Sequence, residues 1–198
     1  MKKEESGDKE PKEVKLEWKK LLIIGLIPLF AIFASYIVAI KSMGVEKYSA
    51  VIDWFFDRFG LLGVFLYAYI VDTLILPLSP DLVWPIVASL KWYIVIPLIG
   101  SASALGGVTS YFIGVLIDKI PFIKRLTGKA NEKWGPYIRV YGSPFMSMAA
   151  IFPLPYSTIC TAAGAMKLPL KKALPSIALR YVHASIYFVL FRAGLLLI

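Results

Sequence analysis

Residues 21–40 form a run of twenty residues without a charged side chain, and this run is the strongest constraint on the fold. At about 1.5 Å per residue, a helix of that length crosses the roughly 30 Å hydrocarbon core of a bilayer. The composition agrees, because 58% of the chain is hydrophobic and 18% is charged, against about 45–50% and about 25% in ordinary soluble domains. The sequence therefore predicts an all-α polytopic membrane protein and excludes soluble enzymes, secreted disulfide scaffolds and disordered chains.

The charged segments predict the topology. Residues 1–20 mix lysines with carboxylates and are expected to form a charged cytoplasmic tail before a first transmembrane helix at 21–40. The net charge of +9 lies mostly between hydrophobic segments, which is typical of loops on a cytoplasmic membrane face and does not favour nucleic-acid binding. Residues 48–60 mix aromatic and charged side chains, as expected of an interfacial helix. We expect a multi-pass protein of the cell membrane with a cytoplasmic N-terminus.

Prolines interrupt the next apolar run, residues 61–90. The interruption consists of two prolines and a carboxylate, Pro77, Pro80 and Asp81. Backbone groups freed by a helix break need protein or water around them, because lipid cannot hydrogen-bond to them. We interpret 61–90 as a re-entrant hairpin, followed by a transmembrane helix at 94–117. Hydrophobic length alone also permits a tilted full span over 61–79, which would reverse the topology downstream.

The same pattern recurs in the second half of the chain. Residues 118–143 are rich in lysine and arginine and are predicted to be a basic cytoplasmic loop. Residues 144–166 are apolar but contain Pro153 and Pro155, so they are interpreted as a second re-entrant hairpin. Residues 173–198 are predicted to be the last transmembrane helix.

The two halves also show a weak internal repeat. An ungapped shift of 76 positions aligns seven identical residues, among them a proline, a lysine and a Tyr-Phe pair. Each unit is a hairpin followed by a transmembrane helix. Positive charge places the middle loop inside, so the first hairpin enters from the outside and the second from the inside. Such inverted repeats with interrupted helices indicate a transport site at the interface between the repeats.

Three motifs occur in a specific order and spacing. They are Pro-Leu-Ser-Pro-Asp at 77–81, Gly-Gly at 106–107 with Tyr-Phe-Ile-Gly at 111–114, and Pro-Leu-Pro at 153–155 with Ala-Gly at 163–164 and Met166. In this order they resemble the DedA family, also called the VTT-domain or SNARE-associated Golgi family. The likeness covers about residues 56–194, and Leu-Arg-Tyr at 179–181 is similar to the last helix of the small YqaA-like members.

This resemblance implies a fold with two opposed re-entrant hairpins and a function in moving lipids between leaflets. Its partners would be membrane lipids, either phospholipid or polyprenyl phosphate, and in some members protons, with no cofactor. Asp72 and Asp81 fall where the family has acidic residues around its first hairpin. The second hairpin departs from the family pattern, because Ala150 and Tyr156 occupy positions where many members carry arginine.

Four ionisable residues in apolar segments are the candidates for the substrate pathway: Asp72, Asp81, Arg180 and His183. A charge within the bilayer costs on the order of 2.5–3.5 kcal/mol on insertion scales, so Asp72 needs a partner. We predict that Asp72 pairs with Arg180 across the two repeats, because an unpaired buried charge is strongly destabilising. Asp81 is alternatively a helix cap after Pro80, and His183 alternatively a packing residue.

The remaining candidates have structural or electrostatic roles. Gly106, Gly107 and Gly164 are expected to permit close helix packing. Lys167, Lys171 and Lys172 are expected to attract anionic lipid head groups. Cys160 has no cysteine or histidine at ligand spacing, so no metal site is predicted.

No motif of hydrolytic or nucleotide-dependent catalysis is present, so we expect that the protein is not an enzyme. The leading function is a lipid scramblase or transporter. The alternatives are a proton-coupled transporter of a small solute that uses Asp72 and Asp81, and a membrane scaffold without transport.

Overall fold

A computed structural model describes residues 18–74, 80–116, 121–152 and 154–196, and this part of the chain is helical without any strand. The helices are α1 (Trp18–Met43), α2 (Val45–Thr73), α3 (Trp84–Val87), α4 (Trp92–Val115), α5 (Pro121–Tyr141), α6 (Ser143–Ile151), α7 (Tyr156–Ala165), α8 (Leu170–Ala178) and α9 (Arg180–Leu196). A 3-10 segment, Pro80–Val83, precedes α3. Residues 1–17 of the predicted tail, Pro77 and Pro153 lie outside the described residues.

Three helical stretches of the described chain are long and apolar enough to cross a membrane: Glu46–Thr73, Trp92–Val115 and Leu170–Gly194. The predicted first span, 21–40, lies within the continuous helix α1, whose described apolar part is Phe30–Met43. Large apolar side chains on the outside, such as Leu62 and Val189, are more than 60% exposed, as expected of a surface in contact with lipid. The chain is a helical membrane protein.

The first hairpin differs in detail from its prediction. The stretch α2 is interrupted at Gly60, where the backbone is not helical, so its two parts meet at the boundary predicted between residues 48–60 and residues 61–90. Gly60 has a φ of 58° and a ψ of −161°, a conformation open to glycine because it lacks a Cβ. Between α2 and α4, the described residues 80–91 form the 3-10 segment and the single-turn helix α3. The second arm of this hairpin is therefore short.

Helix α4 lies at the centre of the molecule and packs against α2, α7 and α9. Glycines permit these contacts. A Cβ at Gly106 would lie 2.9 Å from the carbonyl oxygen of Tyr69 in α2, and a Cβ at Gly107 would collide with the Tyr156 hydroxyl. Gly164 of α7 lies directly against the backbone of α4 at Tyr111. All three predicted packing glycines thus lie where a side chain does not fit.

Most of the predicted basic loop at 118–143 is helical, because α5 occupies it. Its composition is polar, but Trp134 and Ile138 lie one turn apart and are both buried. They pack in one apolar cluster with Phe145 of α6. This one-sided apolar face gives the helix a partner surface, and a helix also satisfies its own backbone groups.

The second hairpin, predicted at 144–166, consists of α6 and α7, separated by a short connection. The last predicted span, 173–198, is not one helix but two. Helix α8 ends at Ala178, the N–H of the next residue, Leu179, bonds to the carbonyl of Ser176 in a 3-10 pattern, and α9 starts at Arg180. Hydroxyl bonds fix α8 to α6, since Ser176 Oγ lies 2.9 Å from the Oγ atoms of both Ser143 and Ser147.

Candidate functional site

The four predicted ionisable residues come together in the interior. Asp72, Asp81, Arg180 and His183 have exposed fractions of only 2%, 5%, 3% and 3%. They come from three elements: the end of α2, the 3-10 segment and the first turn of α9. Arg180 and His183 are three residues apart, so they point to the same side of α9. We call these four residues the charge cluster.

Asp72 and Arg180 form the ion pair that the sequence predicts. Arg180 Nη2 lies 2.8 Å from Asp72 Oδ2. Ser103 of α4 closes the arrangement, because its hydroxyl accepts a 2.5 Å hydrogen bond from Arg180 Nε and donates to the same carboxylate oxygen. Three helices, α2, α4 and α9, are thereby joined at one point.

The second hairpin supplies the remaining contacts of Arg180. Arg180 Nη1 donates over 3.4 Å to the carbonyl of Ala150, at the end of α6. The guanidinium carbon lies 4.5 Å from the centre of the Tyr156 ring, at the start of α7, in a cation–π arrangement. Arg180 therefore contacts residues on both sides of the break between α6 and α7.

Asp81 and His183 form a second buried contact. His183 Nε2 lies 3.3 Å from Asp81 Oδ1, and the indole N–H of Trp84 donates to the same oxygen over 3.2 Å. His183 Nδ1 lies 3.0 Å from the carbonyl oxygen of Ile151, the last residue of α6. The imidazole also stacks on Tyr187 with a distance of 3.9 Å between ring centres.

The cluster lies at the level of both helix breaks. Asp72 is next to the C-terminal residue of α2 and Asp81 follows at the start of the 3-10 segment. The carbonyls that contact Arg180 and His183 belong to the C-terminal end of α6, where such groups lack helical partners. Meanwhile Ser103 and Arg180 lie near the middle of the spans Trp92–Val115 and Leu170–Gly194. The breaks in the two halves thus meet beside the midpoints of two long helices.

Three hydroxyls of residues beside the cluster are buried without a hydrogen-bond partner among the described residues: Thr73 Oγ1, Tyr156 Oη and Tyr187 Oη. Thr73 follows Asp72 in the chain, and Tyr187 stacks on His183. Buried polar groups in proteins normally have a protein or water partner. The surroundings of the cluster therefore retain hydrogen-bonding capacity beyond the two charge pairs.

An apolar groove of about 400 Å³ lies on the outside of the first hairpin, between α2 and the segment that follows the break. Its lining includes Phe55, Phe59, Tyr67, Leu82, Val83 and Ile86. Tyr67 interacts electrostatically with both Asp72 and Asp81, so the groove ends close to the charge cluster.

The other predicted residues lie outside the cluster. Pro80 begins the 3-10 segment and Pro155 precedes the first residue of α7, so each lies directly at a helix break. Lys167, Lys171 and Lys172 are exposed at the connection between α7 and α8 and in the first turn of α8. The described residues contain no group of three histidine, cysteine, aspartate or glutamate side chains that could hold a metal ion.

Several site residues were missed from the sequence. Ser103 has no distinguishing signal, because serines also occur between membrane helices for packing. Trp84 and Tyr187 look like ordinary apolar residues of a span. Tyr156 was singled out only as a departure from the family pattern, and the backbone carbonyls of Ala150 and Ile151 carry no side-chain signal at all.

The fold and the site together define a helical membrane protein with a buried charge cluster between two interrupted segments. No family model, no curated protein and no solved structure matches this chain.

Proposed function

We propose that the protein moves lipids between the two leaflets of a membrane, through the interface between its two halves. The observation that carries the proposal is the buried charge cluster at the two helix breaks. Charges within membrane-spanning segments are costly and commonly mark a pathway for ions or substrates. The resemblance to the DedA family supports the same function.

The proposed pathway requires both interrupted segments to be re-entrant. The contacts of α2 support this arrangement, because its end at Asp72 pairs with Arg180, near the middle of the span Leu170–Gly194. An α2 that crossed the whole membrane would instead end at the opposite surface. The end of α6 at Ala150 meets the same arginine, which supports a second segment that turns back at mid-depth.

This arrangement makes a specific prediction about membrane sides. In a Cys160→Ser background, Ser42→Cys and Lys91→Cys are expected to react with an impermeant maleimide from the same side of sealed vesicles. Lys133→Cys is expected to react only from the other side, because α4 crosses between Lys91 and Lys133. The three original side chains are exposed. Labelling of positions 42 and 91 from opposite sides would show that α2 crosses fully and would contradict the re-entrant arrangement.

Arg180 is the proposed binding residue for the lipid head group. Its guanidinium offers several N–H donors in one plane, which suits a phosphate as well as the carboxylate of Asp72. A phosphate would compete with Asp72 for the same donors and so loosen the contact between the halves. The guanidinium lies against Ala150 and Tyr156, the positions where many members of the resembled family carry arginine. The charge expected on the second hairpin is therefore supplied by α9.

The apolar groove is the proposed path of the lipid chain. Tyr67 lines the groove and interacts electrostatically with Asp72 and Asp81. A lipid chain in the groove would therefore place its head group towards the charge cluster. The exposed lysines 167, 171 and 172 would concentrate anionic lipids at the surface, at about 1 kcal/mol for each residue.

A transfer assay tests the proposal. Purified protein in liposomes with a fluorescent phospholipid is expected to make the inner-leaflet label accessible to an impermeant quencher much faster than empty liposomes do. Leu82→Trp, which fills the groove, is expected to slow the exchange severalfold. Leu105→Trp is the matched control, because Leu105 is similarly exposed on α4 but lies outside the groove lining. Equal rates in protein-containing and empty liposomes would overturn the proposal.

A proton-coupled transporter of a small solute is the second candidate, favoured by the contact between Asp81 and His183. The two functions respond differently to a pH gradient. Solute transport stops when the gradient is collapsed, whereas lipid exchange between leaflets continues.

A further inference from the structure

We propose that the surface beside the end of α7 binds the head group of an anionic membrane lipid, with Arg139 and Lys167 as its two cationic ligands. This site is separate from the charge cluster and does not depend on the proposed lipid exchange. The partners of Arg139, the backbone of Lys167 and the depth of both residues support it.

Arg139, in the last turn of α5, has more hydrogen-bond donors than the protein uses. Its side chain is exposed, and its Nε donates over 3.1 Å to the sulfur of Met166. A thioether sulfur is a weak acceptor, whereas a guanidinium has five N–H donors and binds phosphate in a bidentate manner. Among the described residues, no carboxylate lies within ion-pair distance of Arg139. The guanidinium therefore keeps donors for an anionic ligand.

A groove of about 310 Å³ runs beside this contact, between α5 and the end of α7. Its lining consists of Arg139 and Met166 together with Glu132, Gly135 and Pro136. Glu132 precedes Arg139 by seven residues, so it lies about 10 Å away along the axis of α5. The Arg139 end of the groove thus combines a positive charge with carbon and sulfur atoms, which suits a phosphate that carries an apolar chain.

Lys167 occupies a backbone position at which glycine is the usual residue. Its φ is 56°, and no other non-glycine residue has a positive φ in the part of the chain that the structure describes. The N–H of Lys167 bonds to the carbonyl of Gly164 and the N–H of Leu168 to that of Ala163, which is the Schellman pattern at the end of α7. A side chain in this left-handed conformation is strained. The strain points to a role of the lysine side chain other than stability.

The end of α7 lies at the level where the chain leaves the membrane. Lys167 precedes the span Leu170–Gly194 by three residues. Gly114, near the end of the span Trp92–Val115, lies against the backbone of α7 at Ala165. Lipid phosphates lie at the ends of such spans, and basic residues there attract anionic lipids. We therefore assign the ligand as an anionic lipid.

The two cations belong to one patch of positive charge. Lys167 directly follows Met166, the residue that Arg139 contacts. Lys171 and Lys172 are exposed a few residues further along the chain. Like charges gathered on one surface repel each other, and an anionic head group between them relieves this repulsion.

Native mass spectrometry of the purified protein with phosphatidylglycerol tests the site, with zwitterionic phosphatidylcholine as the reference lipid. The parent protein is expected to bind phosphatidylglycerol more tightly than phosphatidylcholine. Arg139→Gln and Lys167→Gly are each expected to weaken phosphatidylglycerol binding about fivefold, because one basic residue near a membrane surface contributes about that factor. Their binding of phosphatidylcholine is expected to stay the same.

Lys167→Gly also separates the charge from the backbone strain. Because glycine adopts a positive φ freely, the Tm of this variant in detergent without added lipid is expected to rise by about 2–4 °C. Weaker lipid binding by a more stable protein would not be a result of misfolding. Lys167→Arg keeps both the charge and the strain, so it is expected to behave like the parent protein in both measurements.

Lys171→Gln is the matched control, because Lys171 is an exposed lysine of the same surface but is not adjacent to Met166. Its effect on phosphatidylglycerol binding is expected to be smaller than that of either site variant. Equal losses in Arg139→Gln, Lys167→Gly and Lys171→Gln would indicate diffuse attraction and overturn the site. Equal binding of the two lipids by the parent protein would also overturn it. Failure of lipid exchange in liposomes would refute the proposed function and leave this site standing.

Discussion

Arg180→Ala is expected to destabilise the protein by about 3–5 kcal/mol, because it leaves Asp72 as an unpaired charge in the interior. Asp72 is 2% exposed, so water cannot replace the lost guanidinium without opening the fold. The substitution also removes the donors to Ser103 and Ala150. Thermal unfolding in detergent should show a large decrease in Tm, accompanied by low accumulation of the protein in membranes.

A double variant separates loss of the pair from loss of the arginine itself. Asp72→Asn with Arg180→Gln removes both charges and retains hydrogen-bonding groups, so it should recover much of the stability lost in Arg180→Ala. Arg192→Ala is the matched single control, since Arg192 donates to the backbone carbonyls of Ala88 and Ser89 and forms no ion pair with a carboxylate among the described residues. A double variant no more stable than Arg180→Ala would contradict the charge-pair explanation.

Gly114→Ala and Gly164→Ala are the substitutions with the next largest expected effects. At Gly114 a Cβ would collide with the carbonyl oxygen of Thr161 in α7, and at Gly164 it would collide with the carbonyl oxygen of Tyr111 in α4. Both obstacles are backbone atoms in regular helices, so no side-chain rotation relieves the collision. Overpacking of a core costs about 1–3 kcal/mol, and we expect each variant to lie at the upper end of this range.

Gly135→Ala is the control for the glycine variants. Its Cβ would lie 3.5 Å from Met166 Sδ, which is an ordinary contact with a flexible side chain. Thermal unfolding of the three variants under one condition is expected to give a lower Tm for Gly114→Ala and for Gly164→Ala than for Gly135→Ala. If all three variants unfold at the same temperature, the close approach of α4 and α7 does not limit stability.

The ion pair was predictable from the sequence because its physical basis is a strong energetic rule. Asp72 and Arg180 each lie in an apolar segment, and a charge there requires a partner. The contact between His183 and Asp81 was not predicted, because each residue had an ordinary alternative role as packing residue or cap. Ser103 could not be recognised from the sequence for a related reason. Its hydroxyl belongs to the site because the fold places it between Asp72 of α2 and Arg180 of α9.

Segment boundaries were harder to predict than the helical class. Residues 118–143 are polar in composition, and only the spacing of Trp134 and Ile138 indicates the buried face of α5. By contrast, the interruption of α2 at Gly60 coincides with the predicted boundary between residues 48–60 and residues 61–90. The break at Leu179 has no proline or glycine at that position and is a result of local 3-10 bonding.

The break at Leu179 divides the last span into two helices, α8 and α9, which contact different parts of the molecule. Helix α8 is fastened to α6 through the hydroxyls of Ser143, Ser147 and Ser176, whereas α9 is fastened to the first half through its charges. The two helices meet at the single residue Leu179, and α9 also reaches the end of α6 through the contacts of Arg180 with Ala150 and of His183 with Ile151. Arg180 is the first residue of α9, so the guanidinium that joins the two halves lies directly beside this break.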